Sequence, residues 1–528
     1  MLHGARGLNG CMSAPHTAAA LAGQAILAKG GSAIEAMVAA AATIAVVYPH
    51  MNGIGGDGFW IVHRPGERPV GISGCGRAAA LATPEWYAAR DHHEAMPTRG
   101  AHAALTVPGT ISGWQKALDL VDPARRLPLE ALLEAAIAYA ENGMVVTGNQ
   151  ADTTAAKLAG LKDVPGFAET FLIDGRAPKA GEILKQPALA GTLRSLAGEG
   201  LDAYYRGDIA KAHAAFLEAA GSPLRREDFD GFTAETVEPL SVKISAGRLF
   251  NMVPPTQGVS SLMILALFDR LGVTEAEGFA HLHGLIEATK QAFILRNAEL
   301  GDPDFMARPA VDWLSEATLS ELAGEIDADT ALPWPHVAKA GDTIWMGAAD
   351  RDGTVVSFIQ SVFWEFGSGL TCPDTGVFFQ NRGAGFSLQP GPNQLGPRRR
   401  PFHTLNPALA ELSDGRVMAY GTMGGEGQPQ TQAAVFSRYA LFGEDLQQAV
   451  TAPRWLLGKT WGDATTTLKL EDRFDPALVA ALKAAGHETE IIPAFSDLAG
   501  HAGAVVRHAS GVLEGASDPR ADGAALAF

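Results

Sequence analysis

The chain has 528 residues, of which 47% are apolar and 19% charged, a balance that builds large cores and excludes a disordered chain. Its formal charge of −17, with histidines neutral, argues against a nucleic-acid or anionic-membrane partner. Cys11, Cys75 and Cys372 are too few and too scattered for a disulfide framework or a zinc cluster, and they suit a cytoplasmic chain.

Residues 1–10 lack the apolar stretch of a secretory signal. An Ala-rich amphipathic helix is predicted over 15–29, ended by Gly30 and Gly31, with a second helix starting near Ser32. The run 33–47 is the most apolar, yet it carries Glu35 and falls short of a membrane span, so it reads as a buried helix. Asn52-Gly53-Ile54-Gly55-Gly56-Asp57-Gly58 is a glycine-dense loop leading into a strand at 59–63. It lacks the register of a nucleotide-binding loop and reads as a packed turn beside a sheet. Helical patterns dominate 127–322, including 131–140 and 279–300, and 252–258 forms a Pro/Gly bend.

The stretch 327–342 has no periodicity and reads as a connector. Strands then follow at 343–349 and 354–363, joined by a hairpin loop, Arg351-Asp352-Gly353. A loop centred on Asp352 places Thr343 opposite Ser361. If the chain is cut between Asp342 and Thr343, the threonine gains a free α-amine beside its own hydroxyl. That amine, with a reference pKa of about 7.7–8.0, can act as the general base for the hydroxyl. Taken alone, the residues are also accounted for by a threonine that merely opens an edge strand.

Further motifs bear on that choice. They include Val107-Pro108-Gly109, Pro254-Pro255 with Gly258, and the run from Leu300-Gly301-Asp302 to Phe305. Later come Gln380-Asn381-Arg382-Gly383, Asn406-Pro407, Gly421-Thr422-Met423-Gly424-Gly425 and Ala516-Ser517-Asp518-Pro519-Arg520. Together with the 52–57 loop and the start at Thr343, this series resembles the γ-glutamyltranspeptidase family of N-terminal-nucleophile (Ntn) hydrolases, in family order over nearly the whole chain. The resemblance implies an α+β fold, the αββα four-layer sandwich, built jointly by residues 1–342 and 343–528 of one self-cleaved proenzyme. It implies Thr343 as nucleophile, Ser361 as its hydroxyl partner, and Gly424 and Gly425 as the oxyanion hole. Glycines suit that role because main-chain N–H groups can then approach a tetrahedral oxyanion. No metal or organic cofactor is implied. The partners expected are a small-molecule amide and the two subunits for each other, with further assembly of that pair into a homo-oligomer left open.

The residues expected to hold a γ-glutamyl group depart from the family. Its binding-loop arginine falls at Cys75, with Arg77 two residues on. Its paired serines fall at His403 and Thr404, an asparagine at Phe363, and the acid for the donor's ammonium at Ala384. An unpaired ammonium in a dry pocket is costly. Arg382 suits bidentate carboxylate binding, with Trp345, Phe363 and His403 as expected walls. A structural salt bridge is the alternative role for Arg382. The segment 387–397 is shorter than the family's lid.

These departures resemble the oxamate amidohydrolase branch, so a small carboxylate amide hydrolysed through an acyl-Thr343 is the leading expectation. Three alternatives remain: a γ-glutamyltranspeptidase or glutathione hydrolase, a β-lactam side-chain acylase, and a catalytically retired binding protein.

Overall fold

The computed structural model describes residues 3–334, 342–458 and 465–528. Residues 335–341 of the expected connector and the Asp342 side chain therefore lie outside the described residues, as do residues 1–2.

Two seven-stranded sheets organise the molecule, and all neighbours within them pair antiparallel. One runs in the order Ala524–Ala527, Gly10–Ala14, Asp342–Asp350, Val355–Phe363, Asp57–His63, Val70–Gly74, Glu235–Val237. The other runs Ala5–Gly7, Leu513–Ser517, Ala502–Arg507, Val417–Thr422, Ala408–Leu412, Gly247–Asn251, Leu240–Ile244.

Strand periodicity explains why four layers form. Successive side chains leave a strand on opposite faces, so residues of one parity share one environment. Trp345, Ala349, Val355 and Ile359 of the first sheet meet Leu409, Ala419 and Val505 of the second in one buried cluster. The other parity of the same strands, Ile344, Met346, Val356 and Phe358, packs under the helices Thr17–Ala28 and Ala33–Val47. On the far side, Ala408, Ala410, Met418 and Tyr420 pack under the helices Gly258–Arg270 and Phe279–Glu299. The result is the αββα sandwich of the Ntn hydrolases. Strands dominate neither half by sequence: the first 334 residues supply strands to both sheets.

The helix over 33–47 is buried throughout and begins at a capping box, in which Ser32 and Glu35 satisfy each other's backbone N–H groups. No helix among the described residues is long and apolar enough to cross a membrane. The helix-dominated reading of 127–322 needs correction at 235–251, where three short strands extend the two sheets. Their alternation is brief, and pairing with distant strands decides them; Leu409 and Phe250, for example, are partners in the ladder.

Several histidines are buried or, like His16, half-buried, and burial lowers their pKa: His16 and His281 to about 4, and His50, His213 and His487 to about 3. The unfolded chain therefore binds more protons than the folded one between about pH 6.5 and these values, so stability rises with pH across that window. Each such histidine contributes about 1.4 kcal/mol per pH unit there. Asp57, raised to about 7 by burial, opposes the trend, as do Asp350 and Glu444, whose pKa values burial also raises. Unfolding midpoints measured in urea are expected to fall as the pH is lowered from 7 to 5.

Candidate active site

Three neighbouring strands present short polar side chains at one end of the space between the sheets. The hairpin register runs from Ala349 opposite Val355 to Ile344 opposite Gln360, which carries Thr343 towards Ser361 as the loop centre at Asp352 requires. The ladder then slips by one residue, so that Asp342 pairs with Phe363, and Thr343 occupies the irregularity. Ser361 is in turn opposite Asp57 on the next strand. All three side chains are fully buried. Ser361 Oγ accepts the Phe363 N–H at 2.7 Å, and Phe363 has a φ of 83°, a left-handed conformation that costs a non-glycine residue about 1–3 kcal/mol.

Glycines let the loop before Asp57 reach this point. A Cβ on Gly56 would lie 2.0 Å from the Ser361 carbonyl oxygen, and one on Gly55 would lie 1.9 Å from that of Phe378. The loop is thus the packed turn its sequence suggests, and it carries Asp57, which the sequence reading did not single out. Asp57 Oδ1 accepts from the N–H groups of Gly76 and Gly109, each at 3.1 Å, and from Gln380 Nε2 at 2.9 Å. Asp57 Oδ2 faces His403 Nε2 at 3.0 Å. His403 Nδ1 accepts the Leu405 N–H at 3.4 Å, so Nε2 carries the proton and donates it to Asp57. Burial, with Arg382 nearby, holds the imidazole pKa well below its usual value, so the ring is neutral.

Arg382 opens the short turn Arg382–Gly385 and is fully buried. Its guanidinium lies 3.9 Å over the Phe363 ring, and Nη1 donates to Thr404 Oγ1 at 3.4 Å. Nε and Nη2 have no hydrogen-bond partner among the described residues. Burial lowers the Arg382 pKa to about 9, against the attraction of the Asp57 carboxylate, so the side chain remains a cation at neutral pH. The salt-bridge alternative is met only at longer range, through Asp57.

The second sheet brings the glycines. After the strand Val417–Thr422, Gly424 and Gly425 have φ values of 116° and 54°, a conformation natural to glycine, and they lead into the helix Gln428–Phe436. Gln428 Nε2 lies 3.4 Å from Thr343 Oγ1, and Gln428 Oε1 accepts from Asn406 Nδ2 at 3.0 Å. Asn406 Nδ2 also donates to the Thr404 carbonyl at 2.8 Å. A polar path thus runs from Thr343 through Gln428, Asn406 and Thr404 to Arg382. Asn406 lies in the Asn406-Pro407 motif and Gln428 in none, and neither stands out in sequence, because amides serve equally well as ordinary core bridges.

Of the residues expected in the pocket, Phe363, His403, Thr404 and Arg382 come together. Cys75 joins them as a buried neutral thiol, its pKa raised by burial and by Asp57. Trp345 is set in the layer between the sheets, in one buried cluster with Cys75. Its indole fills the space between the sheets, where a Cβ on Gly421 or Gly503 would meet it at 2.2 or 2.6 Å, and its Nε1 donates to Ser357 at 3.0 Å. Arg77 turns to Glu235, at 2.9 Å.

Asp57, Cys75 and His403 bring potential metal-ligand atoms within 4.8 Å of one another, as do His283, Glu287 and His487. The donor set disfavours a cation at the first group, where His403 presents its N–H and the Arg382 cation is a near neighbour. At the second, the Lys290 ammonium already lies 2.7 Å from Glu287.

The sandwich, with a threonine opening a central strand between the sheets, defines the Ntn-hydrolase class. A family profile described as Gamma-glutamyltranspeptidase matches residues 19–528. The chain is 52% identical to the oxamate amidohydrolase proenzyme of Klebsiella pneumoniae, over 98% of each chain. It is 39% identical to the glutathione hydrolase-like YwrD proenzyme of Bacillus subtilis, over 97% of each. A crystal structure of cephalosporin acylase from Bacillus halodurans superposes with a TM-score of 0.92 at 33% identity, covering 100% of this chain and 97% of that one. The chain belongs to the γ-glutamyltranspeptidase family and is an enzyme of its amide-hydrolysing class.

The glycine loop supplies a structural test of how the site is held. Gly56→Ala forces a Cβ onto the Ser361 carbonyl, and overpacking against backbone is expected to cost about 3 kcal/mol. Urea unfolding is expected to show that loss, whereas alanine at Gly160, with nothing within 4 Å of its Cβ, is expected to show none of it.

Proposed function

We propose that the chain cleaves itself between Asp342 and Thr343, and that segments 1–342 and 343–528 stay together as the two subunits of a hydrolase for a small carboxylate amide, with oxamate as the substrate. The observation that carries the substrate assignment is the free edge of Arg382. Nε and Nη2 are the two nitrogens a guanidinium offers side-on to a carboxylate, and they are the two without a partner among the described residues. Burying such donors without an acceptor is costly, and a substrate carboxylate removes that cost.

In this reading the free α-amine of Thr343 takes the proton from Oγ as Oγ attacks the amide carbonyl. The N–H groups of Gly424 and Gly425 stabilise the tetrahedral oxyanion, and Ser361 orients the nucleophile. Collapse breaks the C–N bond, the amine returns its proton to the leaving nitrogen, and ammonia departs. Water then attacks the oxalyl-Thr343 ester by the same route, giving oxalate and the free enzyme. Arg382 holds the carboxylate that is not attacked, with Phe363 covering one face of the guanidinium and Thr404 bonding its far edge.

The alternative γ-glutamyl donor would bring an α-ammonium, and the position where the family's acid is expected is Ala384. Asp57 is the nearby carboxylate, but four donors already surround it. The similarity to the oxamate amidohydrolase proenzyme supports the oxamate reading.

Purified cleaved protein is expected to release ammonia from oxamate far faster than glutamate from glutathione; the reverse order would sink this reading. Thr343→Ala is expected to remain one chain and be inactive, as seen by denaturing electrophoresis and mass spectrometry. Arg382→Ala is expected to lower kcat/KM for oxamate roughly a hundredfold or more, chiefly through KM, because two charge-assisted bonds are lost.

A further inference from the structure

The two glycines of the turn have no side chains with which to hold themselves in place. Their neighbours are gripped instead from the other segment of the chain. Gln257 is fully buried just before the helix Gly258–Arg270. Its Nε2 donates to the Gly425 carbonyl at 2.8 Å and to the Thr404 carbonyl at 2.9 Å. Its Oε1 accepts from Arg296 Nη1 at 2.7 Å. Two carbonyls on one side and a guanidinium on the other permit only this orientation of the amide. Arg296 Nη2 forms a buried ion pair with Glu426, the residue immediately after Gly425. The guanidinium also rests 3.8 Å over the Phe293 ring.

We propose that Gln257 and Arg296 are positioning residues that aim the N–H groups of the Gly424–Gly425 turn at the reacting carbonyl. The proposal rests on the reading of those glycines as the oxyanion hole. Fixing the Gly425 carbonyl and the Glu426 carboxylate pins the peptide planes on one side of Gly425, leaving its own N–H little room to swing. Because donors act on the transition state by direction and distance, such pinning bears on kcat more than on ground-state binding. Both positioning residues lie in segment 1–342 and the turn lies in 343–528, so the oxyanion hole depends on contact between the segments.

Gln257→Met keeps the volume and removes both donated bonds. The Thr404 carbonyl retains its bond from Asn406, so the Arg382 site is left in place. The full-length chain carrying this change is expected to show a kcat for oxamate reduced roughly ten- to a hundredfold, with the inhibition constant of oxalate within about threefold of wild type. Arg296→Lys keeps a cation beside Glu426 but cannot bridge to Gln257 at the same time. It is expected to give a smaller loss, again in kcat. If Gln257→Met does not yield soluble protein, Gln257→Glu and Arg296→Lys decide the question.

Wild-type kcat in these variants overturns the proposal, as does a loss appearing wholly as weaker oxalate binding. The underlying reading is checked separately in the same series. A new N-terminus other than Thr343 in wild type, or unchanged kcat in Gly425→Val, removes the oxyanion assignment itself. Retention of those two results with unaffected Gln257 variants removes only the positioning role.

Discussion

Everything in this molecule depends on the face-to-face packing of two antiparallel sheets, and in particular on the parity of the hairpin 342–363. Odd-numbered residues of its two strands enter the space between the sheets, while even-numbered ones meet the helices. Thr343, Ser361 and Asp57 therefore share one face with Trp345 and Phe59, at an edge of that dry layer. A slip of one residue would send the threonine towards the helices and undo the site. The glycines opposite are explained by the same layer, because the Trp345 indole lies where a side chain on Gly421 would have to be.

A dry layer between sheets makes charges expensive, and the site uses few of them. Arg382 is the central cation and Asp57 the central acid, each buried, with the His403 imidazole beside them neutral. The three backbone and amide donors on Asp57 Oδ1 favour its carboxylate form, but burial outweighs them and raises its pKa to about 7, with the His403 N–H facing Oδ2. Arg382 lacks a comparable set of acceptors. That asymmetry leaves Nε and Nη2 of Arg382 outside any closed ion pair among the described residues, which is the feature the proposed carboxylate binding rests on.

The two segments are interleaved rather than juxtaposed. The strand opened by Thr343 is flanked on one side by Gly10–Ala14 from the first segment, and its hairpin partner is flanked by Asp57–His63. The glycine turn is gripped by Gln257 and Arg296, also from the first segment. The hydrophobic clusters on both sheet faces draw residues from both segments, so the proposed cut before Thr343 would divide the chain without dividing its core.

Much of this was legible in the residues themselves. Local turn chemistry at Arg351-Asp352-Gly353 determined the hairpin register, which carries Thr343 towards Ser361. The order of motifs pointed to the family, and a helix start was legible near Ser32, where the structure has a capping box with Glu35. These signals are local, carried by spacing along the chain. The tertiary structure alone decided the rest. It set the Trp345 indole between the sheets, turned Arg77 to Glu235, added three strands at 235–251, and brought Asp57, Gln257, Gln428 and Asn406 together from distant segments. An Asp in a glycine loop or a buried glutamine has the same appearance in sequence whether it bridges a core or orients a reacting group. Only the partners that folding brings within about 3 Å distinguish the two, and those partners are set by long-range pairing, which leaves no periodic trace in the chain.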